Sequence, residues 1–148
     1  MTTGTALLLS VHLLATAAMV GLIWFVQIVH DPLFDRVGRD RFVDYEAAHT
    51  RATAWVVGPF MAVEGVSALA VAGLLHDEVG VALAVVGLAL LALIHASTVV
   101  VQVPAHGRLA GGHDPVTVRR LVRTNWVRTV GWSTRGVVAA AMVVSASG

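Results

Sequence analysis

An all-α fold is what this sequence predicts, with four helices packed as a bundle through a membrane, and three observations carry that reading. The chain of 148 residues is 57% hydrophobic and only 13% charged, about half the charged fraction of an ordinary globular domain, with a mean hydropathy of +0.79. Four stretches, at about 5–30, 54–75, 79–103 and 126–146, hold few charges or none, and each reaches the roughly 20 apolar residues that a bilayer-spanning helix requires. The basic residues are all arginines, and all but Arg135 lie in or beside two segments: Arg36, Arg39, Arg41 and Arg51, then Arg108, Arg119, Arg120, Arg123 and Arg128. The positive-inside rule puts both segments in the cytoplasm, and both termini and the short "HDEV" turn outside. Four spans use most of the chain, so residues 1–148 read as a single transmembrane domain.

Taken in order, the elements justify themselves. The first apolar stretch is too long for a leader, has no basic residue before it and no A-x-A site after it, so it reads as a span. "HDP" should end it, because the residue before a proline is pushed away from α geometry. "RFVDYEAAHTRATAW" places Phe42, Tyr45, Ala48 and Ala52 on one stripe and charges elsewhere, an amphipathic interfacial helix that feeds into the second span. Pro59 should kink that span. "LLHDEVG" is a tight turn, and Pro104 in "QVPAHG" should stop the third span. In "HDPVTVRRLVRTNWVRTVGW", Asp114 is an N-cap and Pro115 a first-turn proline, opening a helical extension that runs on into the fourth span. Trp24, Trp55, Trp126 and Trp132 gather towards the cytoplasmic ends, as an aromatic belt does. The chain has no cysteine, so a metal would be held by histidine, carboxylate, amide or water.

Reading each helix at 3.6 residues per turn gives one polar line per helix. His12, Thr16, Gln27 and His30 share a face of the first. Glu46, His49, Thr53 and Glu64 share one on the second, His95, Thr98, Gln102 and His106 on the third, and Asn125, Arg128, Trp132 and Arg135 on the fourth. The expectation is a single polar chamber opening to the cytoplasm and closed by apolar sequence on the outer side. Glu46 and His49 stand at the Glu-x-x-His spacing that metal-binding bundles use in pairs; here it occurs once. With His30 and His106 they form a candidate metal set, suited to a transition metal such as iron, copper or zinc. Glu64 would be a further ligand or a proton-transfer group, tuned by Arg135 and joined by His95, since ionisable groups at membrane depth are functional candidates by default. Gln27, Gln102 and Asn125 would support the bound group, and Arg128 would meet an anion. A plain Glu64–Arg135 packing pair is the bland alternative. His12 and His95 differ too much in depth to face one haem iron, and His76 and His113 fall in turns, where solvation is expected.

The segments "QIVHDPLF", "YEAAHT", "VVGPFMAVE", "QVPAHGRL" and "RTNWVRT" resemble an uncharacterised family of small four-span bacterial membrane proteins over nearly the whole chain. The layout and the "VHDPLF" loop are more distantly similar to a superfamily of unknown function that includes anthrone oxygenases. The first resemblance implies a multi-pass protein of the bacterial inner membrane; the second implies oxidation of a hydrophobic molecule. The expected function is a membrane-embedded, metal-dependent oxidoreductase acting on a lipophilic small molecule, as a homo-oligomer among membrane lipids. A net charge of +1 offers nothing for nucleic acid. The alternatives are a proton-linked carrier, a cofactor-independent oxygenase or isomerase with Glu64 or a histidine as base, and a structural subunit joined through the small-residue stripes "GVSALAVAG" and "GVVAAAMV".

Overall fold

A computed structural model describes residues 1–148, and every regular element in it is helical. Helix α1 (Thr3–Phe25) is capped by the Thr2 side chain, which accepts from the Thr5 amide at 3.2 Å. It runs on through a wide π-turn at Val26–His30 and a tight 3-10 turn at Asp31–Arg36. Helix α2 (Phe42–Leu74) is continuous from the amphipathic segment into the apolar one, through Pro59. The short α3 (His76–Val79) leads into α4 (Val81–Ser97), a second π-turn at Thr98–Gln102, and α5 (Val103–Leu109). Helix α6 (Pro115–Ser147) opens on Asp114, whose carboxylate accepts from the Val116 and Thr117 amides at 3.1 Å. These bonds, with the Thr117 hydroxyl foremost, hold the Asp114 carboxyl below its usual range.

Neither proline stops its helix. At both places a π-turn comes first: Asp31 N–H reaches back to the Val26 carbonyl and Val103 N–H to that of Thr98. Pro32 and Pro104 then fall in the first turn of a fresh helical segment, where a missing N–H costs nothing. Each π-turn adds one residue per turn, so the side chains that follow shift around the axis by about 100°. Both deliver a glutamine, Gln27 and Gln102, into the interior at 2% exposure.

The continuous helices at 3–36, 42–74 and 81–109 are long and apolar enough to cross a membrane. Helix α6 is as long as α2 but is not among them; four of its five arginines lie in its first half, and Arg135 alone in its apolar second half. The four long helices close a ring, α1 against α2 and α6, and α4 against the same two. Glycines permit the closest approaches on α6. A Cβ on Gly131 would stand 2.8 Å from Ile94 Cγ1, and one on Gly136 would stand 3.2 Å from Val20 Cγ2.

The interior mixes apolar and polar side chains, and much of the surface is apolar. Of the 35 buried residues, 13 are polar or charged, while Leu14, Ile28, Trp55, Val66, Leu74, Val100 and Val137 are among the exposed apolar ones. Exposed apolar surface on all four long helices is what a lipid solvent accepts. Inside, three apolar clusters alternate with polar layers. Leu9, Val71, Leu75, Val79 and Met142 fill the end at the short turn. Met19, Ile23, Ile94 and Trp132 fill the middle, and Phe34, Phe42, Leu109, Val118 and Leu121 the end at the long connectors. Trp24, Trp55 and Trp126 are exposed, as a belt requires; Trp132 is not of the belt, since it is fully buried between α1 and α4.

Candidate metal centre

The amphipathic start of α2 carries Glu46 and His49 one turn apart, so both face inward beneath the chain that leaves α1. His30 arrives from the first π-turn and His106 from α5, just after Pro104. His106 Nδ1 lies 2.7 Å from Glu46 Oε1. His30 Nε2 and His49 Nδ1 share a hydrogen bond of 2.7 Å, and the Thr53 hydroxyl is 3.1 Å from the same His49 nitrogen. Phe34, fully buried, sets the floor: its ring stands edge-on to His30, His49 and His106, with centroids 5.2, 5.1 and 6.1 Å away. One phenyl ring therefore fixes the planes of three imidazoles.

Glu46, His49 and His106 can each offer a donor atom within 4.8 Å of the others. His30 is tied to this trio through His49 rather than belonging to it. Glu46 is 0% exposed and its Oε2 has no hydrogen-bond partner. A buried carboxylate oxygen without a donor costs free energy, and a cation is one group that removes that cost. Two donors about 2.1 Å from one ion and at right angles are about 3 Å apart. The 2.7 Å between His106 Nδ1 and Glu46 Oε1 is close to that spacing, with a proton where an ion would sit. The trio fits a metal.

Glu64 does not join it, which corrects the expectation of one chamber. Eighteen residues of helix separate Glu64 from Glu46, about 27 Å at 1.5 Å per residue, and the Met19, Ile23, Ile94 and Trp132 cluster fills the space between. Glu64 instead lies in a second polar layer. Arg135 donates to Glu64 Oε1 and to the Gly87 carbonyl, and the Thr16 hydroxyl donates to Glu64 Oε1 at 3.4 Å. Glu64 and Arg135 are 0% and 2% exposed. A Cβ on Gly87 would stand 3.1 Å from Met142 Cε, tighter than ordinary packing, and 3.6 Å from Arg135 Nη1, an ordinary contact. His12, also buried, completes the layer through Ser67 Oγ at 3.0 Å. His95, coupled electrostatically to Glu64, turns its Nδ1 to the Leu91 carbonyl at 2.9 Å.

Gln27, Gln102, Asn125 and Arg128 make no hydrogen bond to the trio; they tie the π-turns to α6. Gln27 donates to the Val122 carbonyl at 3.1 Å and accepts from Asn125 Nδ2 at 3.1 Å and the Thr129 hydroxyl at 3.2 Å. Gln102 Nε2 donates to Thr124 Oγ1 at 3.1 Å. Arg128 donates to Asn125 Oδ1 at 3.1 Å, and its charge faces Asp31. Sequence reasoning missed Asp31, which is 2% exposed and within Coulombic reach of His106, Arg128 and Glu46. Its signal was the acid preceding a proline in an otherwise apolar run, read only as a helix stop. His113 is not solvated either: its side chain is 8% exposed, meets Asp35 at 3.0 Å and packs on Phe42. His76 is exposed in its turn.

No known protein-family model, no curated protein and no solved structure matches this chain.

Proposed function

We propose that the chain crosses a bacterial inner membrane four times, α6 supplying the fourth span, and is a metal-dependent oxidoreductase acting on a lipophilic substrate at its cytoplasmic end. The observation that carries the reading is the trio Glu46, His49 and His106, in which the second oxygen of the buried Glu46 carboxylate has no partner. Two histidines and one carboxylate with further positions open form the donor set of non-haem iron(II) oxygenases and also of catalytic zinc sites; the redox reading selects iron for the test. A bound ion supplies a Lewis-acidic or redox-active centre with open positions. The chain's own part is to hold the donors. Phe34 sets the ring planes, His30 and Thr53 orient His49, and Glu46 and His106, hydrogen-bonded to each other here, would turn those atoms to the ion. The carrier reading is disfavoured, because an apolar cluster separates the two polar layers. Glu64 and Arg135 are read as a packing pair that also holds His12's layer.

The test is metal content by plasma mass spectrometry, on protein purified in detergent and then loaded anaerobically with iron(II). About one iron per chain is expected, falling to background in Glu46→Ala and in His106→Ala while circular dichroism stays helical. Failure of the native protein to retain iron, copper or zinc overturns the reading.

A further inference from the structure

On the far side of His30 and His49 from Glu46, α1 and α2 part to form a groove of about 450 Å³. Leu22, Val26, Ala52, Val56 and Val57 line its walls. Its polar end is made by His30, His49 and Thr53, the same three groups that share the His49 Nδ1 hydrogen bonds. Phe25 and Val56 at its rim are 54% and 49% exposed, and Ile28 and Trp55 beside them 56% and 79%. The mouth therefore opens onto the surface that faces lipid, and the groove is of a size that holds a small ligand.

Charge decides the class of occupant. No Arg, Asp or Glu lines the groove, so in the metal-free protein a carboxylate or phosphate head would enter without a counter-ion, and its burial there is unfavourable. A hydroxyl or carbonyl finds imidazole nitrogen and the Thr53 hydroxyl to bond with. From these observations we infer that the groove between α1 and α2 is a lateral entry site for a neutral, single-chain amphiphile, whose hydroxyl or carbonyl head is received by His30, His49 and Thr53. This rests on the proposed metal function in one respect: His49 belongs both to the metal trio and to the polar end of the groove, so the head of the amphiphile arrives beside the ion.

The probe is a long-chain primary alcohol bearing a photoactivatable diazirine, and its carboxylate of equal chain length is the control. Protein in phosphatidylcholine nanodiscs is cross-linked and the labelled peptides mapped, with metal content measured on the same samples. The alcohol is expected to label 22–26 and 48–57 saturably, with competition by unlabelled alcohol and weak labelling by the carboxylate. Ala52→Trp fills the groove from an exposed position, and should cut saturable labelling at least about ten-fold while metal content stays native. Thr53→Val, which removes one head contact without adding bulk, should weaken it less. Labelling spread evenly over all lipid-facing helices, or equal labelling of the metal-free protein by the carboxylate, overturns the inference whether or not the protein can hold metal. Saturable labelling of a protein that holds no metal would leave the groove standing and remove the metal reading instead.

Discussion

Replacing Arg135 with methionine removes the charge partner of a fully buried carboxylate. Glu64 keeps only the Thr16 hydroxyl, at 3.4 Å, as a side-chain donor, and its Oε2 already has none. Breaking a buried ion pair from one side costs about 3–5 kcal/mol. Self-neutralisation of the stranded carboxyl pulls that towards the lower figure. For a chain of this length each kcal/mol is worth about 2–4 °C, so the apparent Tm should fall by roughly 10 °C. Glu64→Gln keeps an amide oxygen that accepts from Arg135 and Thr16 but strands a guanidinium that cannot neutralise itself, so a loss of about 3–5 kcal/mol is expected there too. The double variant Glu64→Leu/Arg135→Met leaves no stranded charge and should recover most of the loss, as apolar replacements of buried pairs do. The assay is thermal unfolding followed by circular dichroism, in one detergent and at one protein concentration. A double variant at least as unstable as Arg135→Met would refute the reasoning, since it would mean that the pair contributes net stability beyond satisfying itself.

Three further outcomes are expected. Deleting Val100 turns the π-turn at Thr98–Gln102 into ordinary α register and rotates His106 by about 100° away from Glu46; iron retention should be lost while helix content is kept, and retained iron would mean that the turn does not set the site. Gly131→Ala drives a Cβ to 2.8 Å from Ile94 Cγ1, with Ile94 fully buried. Overpacking of about 1–3 kcal/mol should outweigh the gain of up to about 1 kcal/mol from helix propensity, so the apparent Tm falls; a rise would show that α4 and α6 can move apart freely. Asp114, whose carboxyl is held low by the Thr117 hydroxyl and the Val116 amide, stabilises α6 above the ordinary aspartate pKa near 3.9. Its contribution is lost as pH falls through the lowered folded value. Asp114→Asn should flatten that acid limb of the Tm–pH curve, and an unchanged limb would remove the cap from the account.

Membrane composition, the helical class and the start of α6 at Asp114 were legible in the residues alone, because apolar length and capping chemistry are local properties. The approach of Glu46, His49 and His106 was legible for a similar reason: a four-helix arrangement with one polar line per helix leaves those side chains few places to go. Depth along the axis was read less well. Glu64 was grouped with Glu46 through a shared face, although about 27 Å of helix lies between them, and a face repeats at every turn whereas a contact occurs at one. Both proline stops were misjudged, since whether a proline ends a helix depends on the turn before it. Within these π-turns Gln27 and Gln102 hydrogen-bond to α6, contacts that stabilise the turns. The same holds for Asp31 and Phe34 in the first connector and His113 in the second, residues whose burial only packing decided. Local sequence decides which segments are helices and which faces are polar. Only packing decides which turns of those faces meet, because that depends on the relative height of helices joined by connectors with no preferred length.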